Sequence, residues 1–201
     1  MKLINWGANI PPILHKLESL GYKKFDNGDF DLNLIGLRDP ERTPGSFDDQ
    51  FCVCYKENTE WIEERYNCTT DPSMEQHLQP TNKKGVAVLK PGRYSGVYKL
   101  DLHNGKYEAL CQRNGEVTVY RDNNLNAQTD YINEESGYFG INIHRAHSKK
   151  IVTSTQYYSH GCTVIQNPAD FARLIALAKL QIGRGYKTFS YTLIEYDSAE
   201  E

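Results

Sequence analysis

The segment YYSHGC, residues 157–162, sets a hydroxyl, an imidazole, a glycine and a thiol side by side. By residue type alone, Cys162 is a buried small hydrophobe, a metal ligand or a nucleophile. The nucleophile needs a base, because a free thiol is only about 3% thiolate at pH 7. Imidazole is the usual partner, and three of the six histidines, His144, His147 and His160, fall within the stretch 144–162. His144 ends the run YFGINIH, where Phe139, Ile141 and Ile143 alternate with Gly140, Asn142 and His144. Read as a strand over 138–144, the run puts His144 on the face opposite the apolar one. A neighbouring strand over 162–166 then brings thiol and imidazole within hydrogen-bond reach. Gly161 permits a positive φ or a close backbone approach, so its amide and that of Cys162 can turn to a developing oxyanion. Ser159 and His160 line the same loop. A metal-dependent hydrolase using His144, His160 and Cys162 is a further option, though the ligand spacing is weak.

The elements that must position these residues are mostly strands. Short apolar runs recur at 32–37, 51–56, 86–90, 94–101, 106–111, 116–121, 138–144, 162–166 and 187–196. HNGK and RNGE each carry Asn-Gly, a strong hairpin signal, and predict an antiparallel meander of 94–101, 106–111 and 116–121. Two helices interrupt the pattern. Residues 10–20 place Ile10, Leu14 and Leu17 on one face, after Pro11 and Pro12 and before Gly21. Residues 168–182 follow the cap Asn167, carry Asp170 in the first turn, and line up Phe171, Leu174, Ile175 and Ala178. The expected fold class is mainly β with two helices, α+β, in one domain. DNNLNAQTD, 122–130, spaces oxygens like the start of a calcium loop but has Ala127 where Gly is expected, and reads as a polar turn. His103, beside a hairpin turn, reads as surface.

A chain of 201 residues can bury one substantial core without staples. A net charge of −3, with no basic run interleaved with aromatics, disfavours nucleic acid as a partner. No apolar segment approaches bilayer-spanning length, and MKLINWGANIPP has too short an apolar run for a secretory signal. The expectation is synthesis in the cytoplasm without export by the general route. Five cysteines, an odd number at irregular spacing, fit free thiols in a reducing compartment, with Cys52 and Cys54 as packing residues on one strand face.

With His144 eighteen residues before Cys162, SHGC at 159–162, strands on either side and an Asp-bearing helix after, residues 86–182 resemble the YkuD-type L,D-transpeptidase catalytic domain. The resemblance implies a small β-sandwich, with strands and a helix in 1–85 of unmatched origin and a terminal strand and tail in 183–201. It implies Cys162 as nucleophile, His144 as base with its second nitrogen held by a backbone carbonyl, and Gly161 with neighbouring amides as the oxyanion hole. Ser159 and His160 would shape the substrate site. The implied partner is the peptidoglycan stem peptide, cleaved between an L- and a D-centre through a thioester, with no cofactor and no metal. Hydrolysis is expected to dominate over transpeptidation, in an enzyme delivered to the bacterial envelope by a phage or secretion route. The alternative is an inactive wall- or partner-binding module on the same fold. Two positions depart from the pattern: Val164 stands where Arg or Asn is common, and Arg145 where Gly is common. Arg145 offers a fork for a stem-peptide carboxylate, against the plainer reading of a solvated strand-end arginine.

Overall fold

The computed structural model describes residues 1–41 and 43–196. The elements are β1 (Lys2–Gly7), α1 (Pro12–Ser19), β2 (Asn33–Arg38), β3 (Asp49–Glu57), β4 (Glu60–Thr69), α2 (Met74–Leu78) and β5 (Val86–Leu89). They continue with β6 (Gly92–His103), β7 (Tyr107–Gln112), β8 (Val117–Asp122), β9 (Glu134–Gly137), β10 (Ile143–Arg145), β11 (Thr163–Ile165), α3 (Pro168–Gly183) and β12 (Phe189–Glu195). The chain is therefore mainly β with helices, an α+β architecture. No helix among the described residues is long and apolar enough to cross a membrane.

Strands β4, β11, β10, β7, β6, β12, β2 and β3 pair in that order, and β3 pairs again with β4, closing the large sheet into a barrel. Closure pairs edges that would otherwise be left open. It works because β4 divides one edge: residues 61–65 pair with β1, while Cys68 and Thr69 pair with β11. Strands β10 and β11 run parallel, as do β12 and β2. Strands from the first 85 residues and from the C-terminal region thus share one barrel with the middle of the chain. A second sheet, β5-β8-β9, is antiparallel, and its Ala87, Leu89, Val117 and Val119 bury against the barrel's own core residues.

Both expected helices form for the expected reasons. Asn167 caps α3 by accepting the Ala169 N–H at 2.9 Å, Pro168 opens it, and Phe171, Leu174, Ile175 and Ala178 pack into the core. Ile13, Leu14 and Leu17 of α1 cover Cys52 and Cys54, whose sulfurs lie 3.6 Å apart. A third, five-residue helix, α2, was not expected.

Two strand expectations are corrected. The meander stops after two strands: β6 and β7 form a hairpin, but β8 pairs with β5 and β9. The amides of Arg113 and Asn114 fold back onto the Val97 carbonyl, and β8 then buries Val117 and Val119 with the small sheet. The run 138–144 is strand only from Ile143. Its earlier amides do not reach a neighbouring strand, because those of Phe139, Gly140 and Ile141 all donate to Oε1 of Gln112, at 3.0–3.1 Å.

Candidate active site

The parallel register sets Ile143 opposite Thr163 and His144 opposite Val164. One step back, the Thr163 N–H donates to the Asn142 carbonyl at 3.0 Å and the Asn142 N–H to Cys162 Sγ at 3.3 Å. Asn142 and Cys162 are therefore level, each just before its strand, and the register puts His144 two residues beyond Asn142 on the same face. Cys162 and His144 both line a cleft of about 620 Å³, together with Arg145, His160, His103 and Tyr107.

Each imidazole nitrogen of His144 has a defined part. Nδ1 lies 2.9 Å from the Arg145 carbonyl, which can only accept, so Nδ1 carries the proton and Nε2 keeps its lone pair. The Tyr107 hydroxyl stands 3.4 Å from the same Nδ1. Burial, then the neighbouring His103, pushes His144 down to about 3, against the opposing pull of the Arg145 carbonyl. Burial likewise pushes the Cys162 thiol up to about 11, opposed by the Asn142 N–H. At rest the cleft holds a neutral thiol and a neutral imidazole. The thiol donates to the Gly140 carbonyl, 3.4 Å away.

The loop before the cysteine is built for position. Gly161 sits at φ +119°, and a Cβ there would stand 2.1 Å from the Ala87 carbonyl oxygen of β5. Its N–H turns to Ser159 Oγ at 3.3 Å, away from the oxyanion role expected of it. Ser159 is fully buried, its hydroxyl 2.7 Å from the Asp71 carbonyl and 3.0 Å from that of Cys162. Its hydroxyl braces the loop from behind and does not line the cleft, where a substrate contact was expected. His160 is exposed on the cleft wall, as a substrate contact would be. Replacing Gly161 by Ala should cost roughly 1–3 kcal/mol of stability or more, since the side chain meets both a forbidden φ and a backbone oxygen. Thermal unfolding of Gly161→Ala checks this; an unchanged Tm would mean that the loop gives way freely.

Arg145 is not a solvated strand end. Its guanidinium lies over the Tyr107 ring at 3.9 Å from the centroid, with Phe171 at 6.0 Å. Such stacking fixes the fork while leaving its N–H edge available. Lys106, Arg113 and Arg145 line the cleft and, among the described residues, no Asp or Glu does, although the chain is acidic overall. Val164 is fully buried, so its position supplies no polar contact.

Residue types alone did not mark two participants. His103 is half-buried, not surface, and its ring stacks on His144 with centroids 4.2 Å apart and planes 21° apart. Asn142 ties Cys162, β7 and His103 together. The alternation in YFGINIH, which puts Asn142 on the face of His144, was the one available signal for it. The oxygens of the 122–130 loop serve the chain's own amides: Asp122 accepts from Asn124 and Asp130, and Asn124 from Asn126. Compared with known proteins, the chain matches no family model, no curated protein and no solved structure.

Proposed function

We propose that this chain is a cysteine acyl-transfer enzyme of the L,D-transpeptidase type, acting on peptidoglycan stem peptides. The observation that carries the reading is a thiol and an imidazole on one face of adjacent parallel strands, sharing a cleft, with the base's Nδ1 held by a main-chain carbonyl. On this reading the sandwich-like part of the fold is the region of β10, β11 and the small sheet packed behind the SHGC loop.

The chemistry follows from the protonation states. Because the pair rests neutral, the thiolate forms within the substrate complex: the S–H proton passes to Nε2 of His144 as sulfur attacks the carbonyl carbon. The Cys162 amide is assigned to the resulting oxyanion, since that of Gly161 is turned to Ser159. Collapse breaks the C–N bond, the leaving amine takes the proton from Nε2, and a thioester remains. Water then gives a proton to Nε2 and its oxygen to the acyl carbon. Sulfur leaves and recovers the proton, and the shortened stem departs as a carboxylate. Arg145 and Lys106 attract the carboxylates of the stem, which suits an anionic peptide in a cleft without acidic lining. Water is proposed as the acceptor in place of the amine of a second stem.

Mass spectrometry of purified muropeptides after incubation tests the reading. Shortened monomer stems are expected. Accumulation of crosslinked dimers without shortened monomers would make the acceptor an amine. A second reading, a binding module that retains the fold, draws on the buried thiol and its contact with Gly140. It predicts unchanged muropeptides together with measurable binding.

A further inference from the structure

The geometry points to His103 as a positioning residue for the base: a neutral imidazole lying flat on His144, which supports the imidazolium formed there and disables the pair when His103 itself takes up a proton. This rests on the thiol–imidazole reading above and adds to it a residue and a pH response.

The tautomer of His103 follows from a chain of contacts that begins at a main-chain donor. The Gln112 N–H donates to Asn142 Oδ1 at 2.9 Å, which fixes the orientation of the buried Asn142 amide. Its Nδ2 then has to face His103 Nδ1, 3.1 Å away, and being a donor it requires a lone pair there. His103 is thus held with Nδ1 unprotonated and its proton on Nε2, where the exposed Asn104 amide, 3.1 Å away, turns its oxygen to accept. Protonation at Nδ1 would set two donors against each other and break the Asn142 contact. The backbone N–H of that same Asn142 touches Cys162 Sγ, so thiol and His103 hang on one residue, and His103 in turn stacks on the base.

The charged and titratable surroundings favour the same state. Lys106 and Arg113 face His103 from the ends of the hairpin strand, and they, after burial, lower its proton affinity. Tyr107 lies 5.4 Å away by ring centroids, Arg145 stacks on that tyrosine, and His144, His160 and Cys162 share the cleft. Asp101, on the same strand, is held by Arg113 at 2.7 Å. When the Cys162 proton moves to His144 Nε2, the new cation lies against the face of a neutral ring, an arrangement that attracts. With His103 protonated, the same step would create two like charges at 4.2 Å, which repel strongly in a half-buried site.

Carbamidomethylation of Cys162 by iodoacetamide, followed by peptide mapping between pH 4 and 8, reads the pair without any substrate. Thiolate supply alone raises the rate with pH in every variant, so the readout is the His144-dependent part, wild type minus His144→Ala at each pH; it should be level near neutral pH and fall about tenfold per pH unit below the titration of His103. In His103→Phe, which keeps a stacked ring without a proton site, the same part, taken against the His103→Phe/His144→Ala double variant, should stay level down to about pH 4. His103→Gln, which can still accept from Asn142, serves as the second variant if Phe disturbs the fold. An acid limb that persists unchanged in the folded variants overturns the role of His103. If His144→Ala alkylates as fast as wild type, the thiol–imidazole pair itself is wrong. If His144→Ala is slow but His103→Phe follows wild type, only the present inference fails.

Discussion

Cys162→Ala should lose stem-peptide turnover by at least about 10⁴-fold while keeping its fold. On the proposed reading the thiol forms the acyl intermediate, and removing it leaves Arg145 and His160 on the cleft wall in place. The stability effect is small by comparison. Sulfur accepts one main-chain N–H, from Asn142, and donates to Gly140, so alanine leaves one buried donor without an acceptor, at a cost of about 1 kcal/mol. Cys162→Ser restores a hydroxyl to those two partners and should unfold nearer to wild type, yet remain inactive, since a serine there is far harder to ionise. Product analysis by mass spectrometry alongside thermal unfolding separates the two effects. Turnover by the alanine variant at the wild-type rate would remove the nucleophile assignment.

His144→Ala should slow turnover by about 10² to 10⁴-fold, the usual contribution of a general base. His160→Ala should do less, because His160 is exposed on the cleft wall. A reversal of the two would make His160 the base. The same histidine also sets an acid response of the fold. Its folded value of about 3 lies below the ordinary 6.5, so the unfolded chain binds the extra proton first. Wild-type stability is therefore unaffected by this group above about pH 6.5, and falls by at most about 1.4 kcal/mol per pH unit as the pH drops from there towards 3. Asp49 acts in the opposite sense: burial raises it to about 6, so its proton favours the folded form on the acid side. The difference between wild type and His144→Gln isolates the histidine. Denaturant midpoints at pH 7 and pH 5 should show the variant losing less stability on acidification. Equal losses would mean that the folded and unfolded chains bind the His144 proton alike, so that burial does not depress it.

The parts legible in the sequence were those whose signals are local. Asn167-Pro168 and the apolar stripe Phe171, Leu174, Ile175, Ala178 specify a helix from neighbouring residues alone, and α3 has those bounds within a residue. Hidden elements were those whose polar residues are satisfied from far away. Strand β4 reads EWIEERYNCT, which looks too charged for an interior strand, yet Glu63 and Glu64 are both fully buried. Glu63 accepts from Trp6 and Arg65, and Glu64 from Tyr55, Tyr66 and Arg173, the last 109 residues away. A carboxylate can be buried only where such partners converge, and no window of local sequence reveals that convergence. The same limit applied to 138–142, where one glutamine side chain outcompetes a strand ladder for three amides.

For the site, sequence alone determined which chemical groups are on hand: a thiol, an imidazole eighteen residues earlier, and a glycine beside the thiol. The tertiary structure decided their state. It buried thiol and imidazole so that both rest neutral, gave Nδ1 to the Arg145 carbonyl, turned Ser159 into a brace, and laid His103 on His144 across 41 residues of chain. Residue type fixes what a group can do, but desolvation, stacking and hydrogen-bond direction depend on neighbours brought from elsewhere in the chain, and these set where its proton lies.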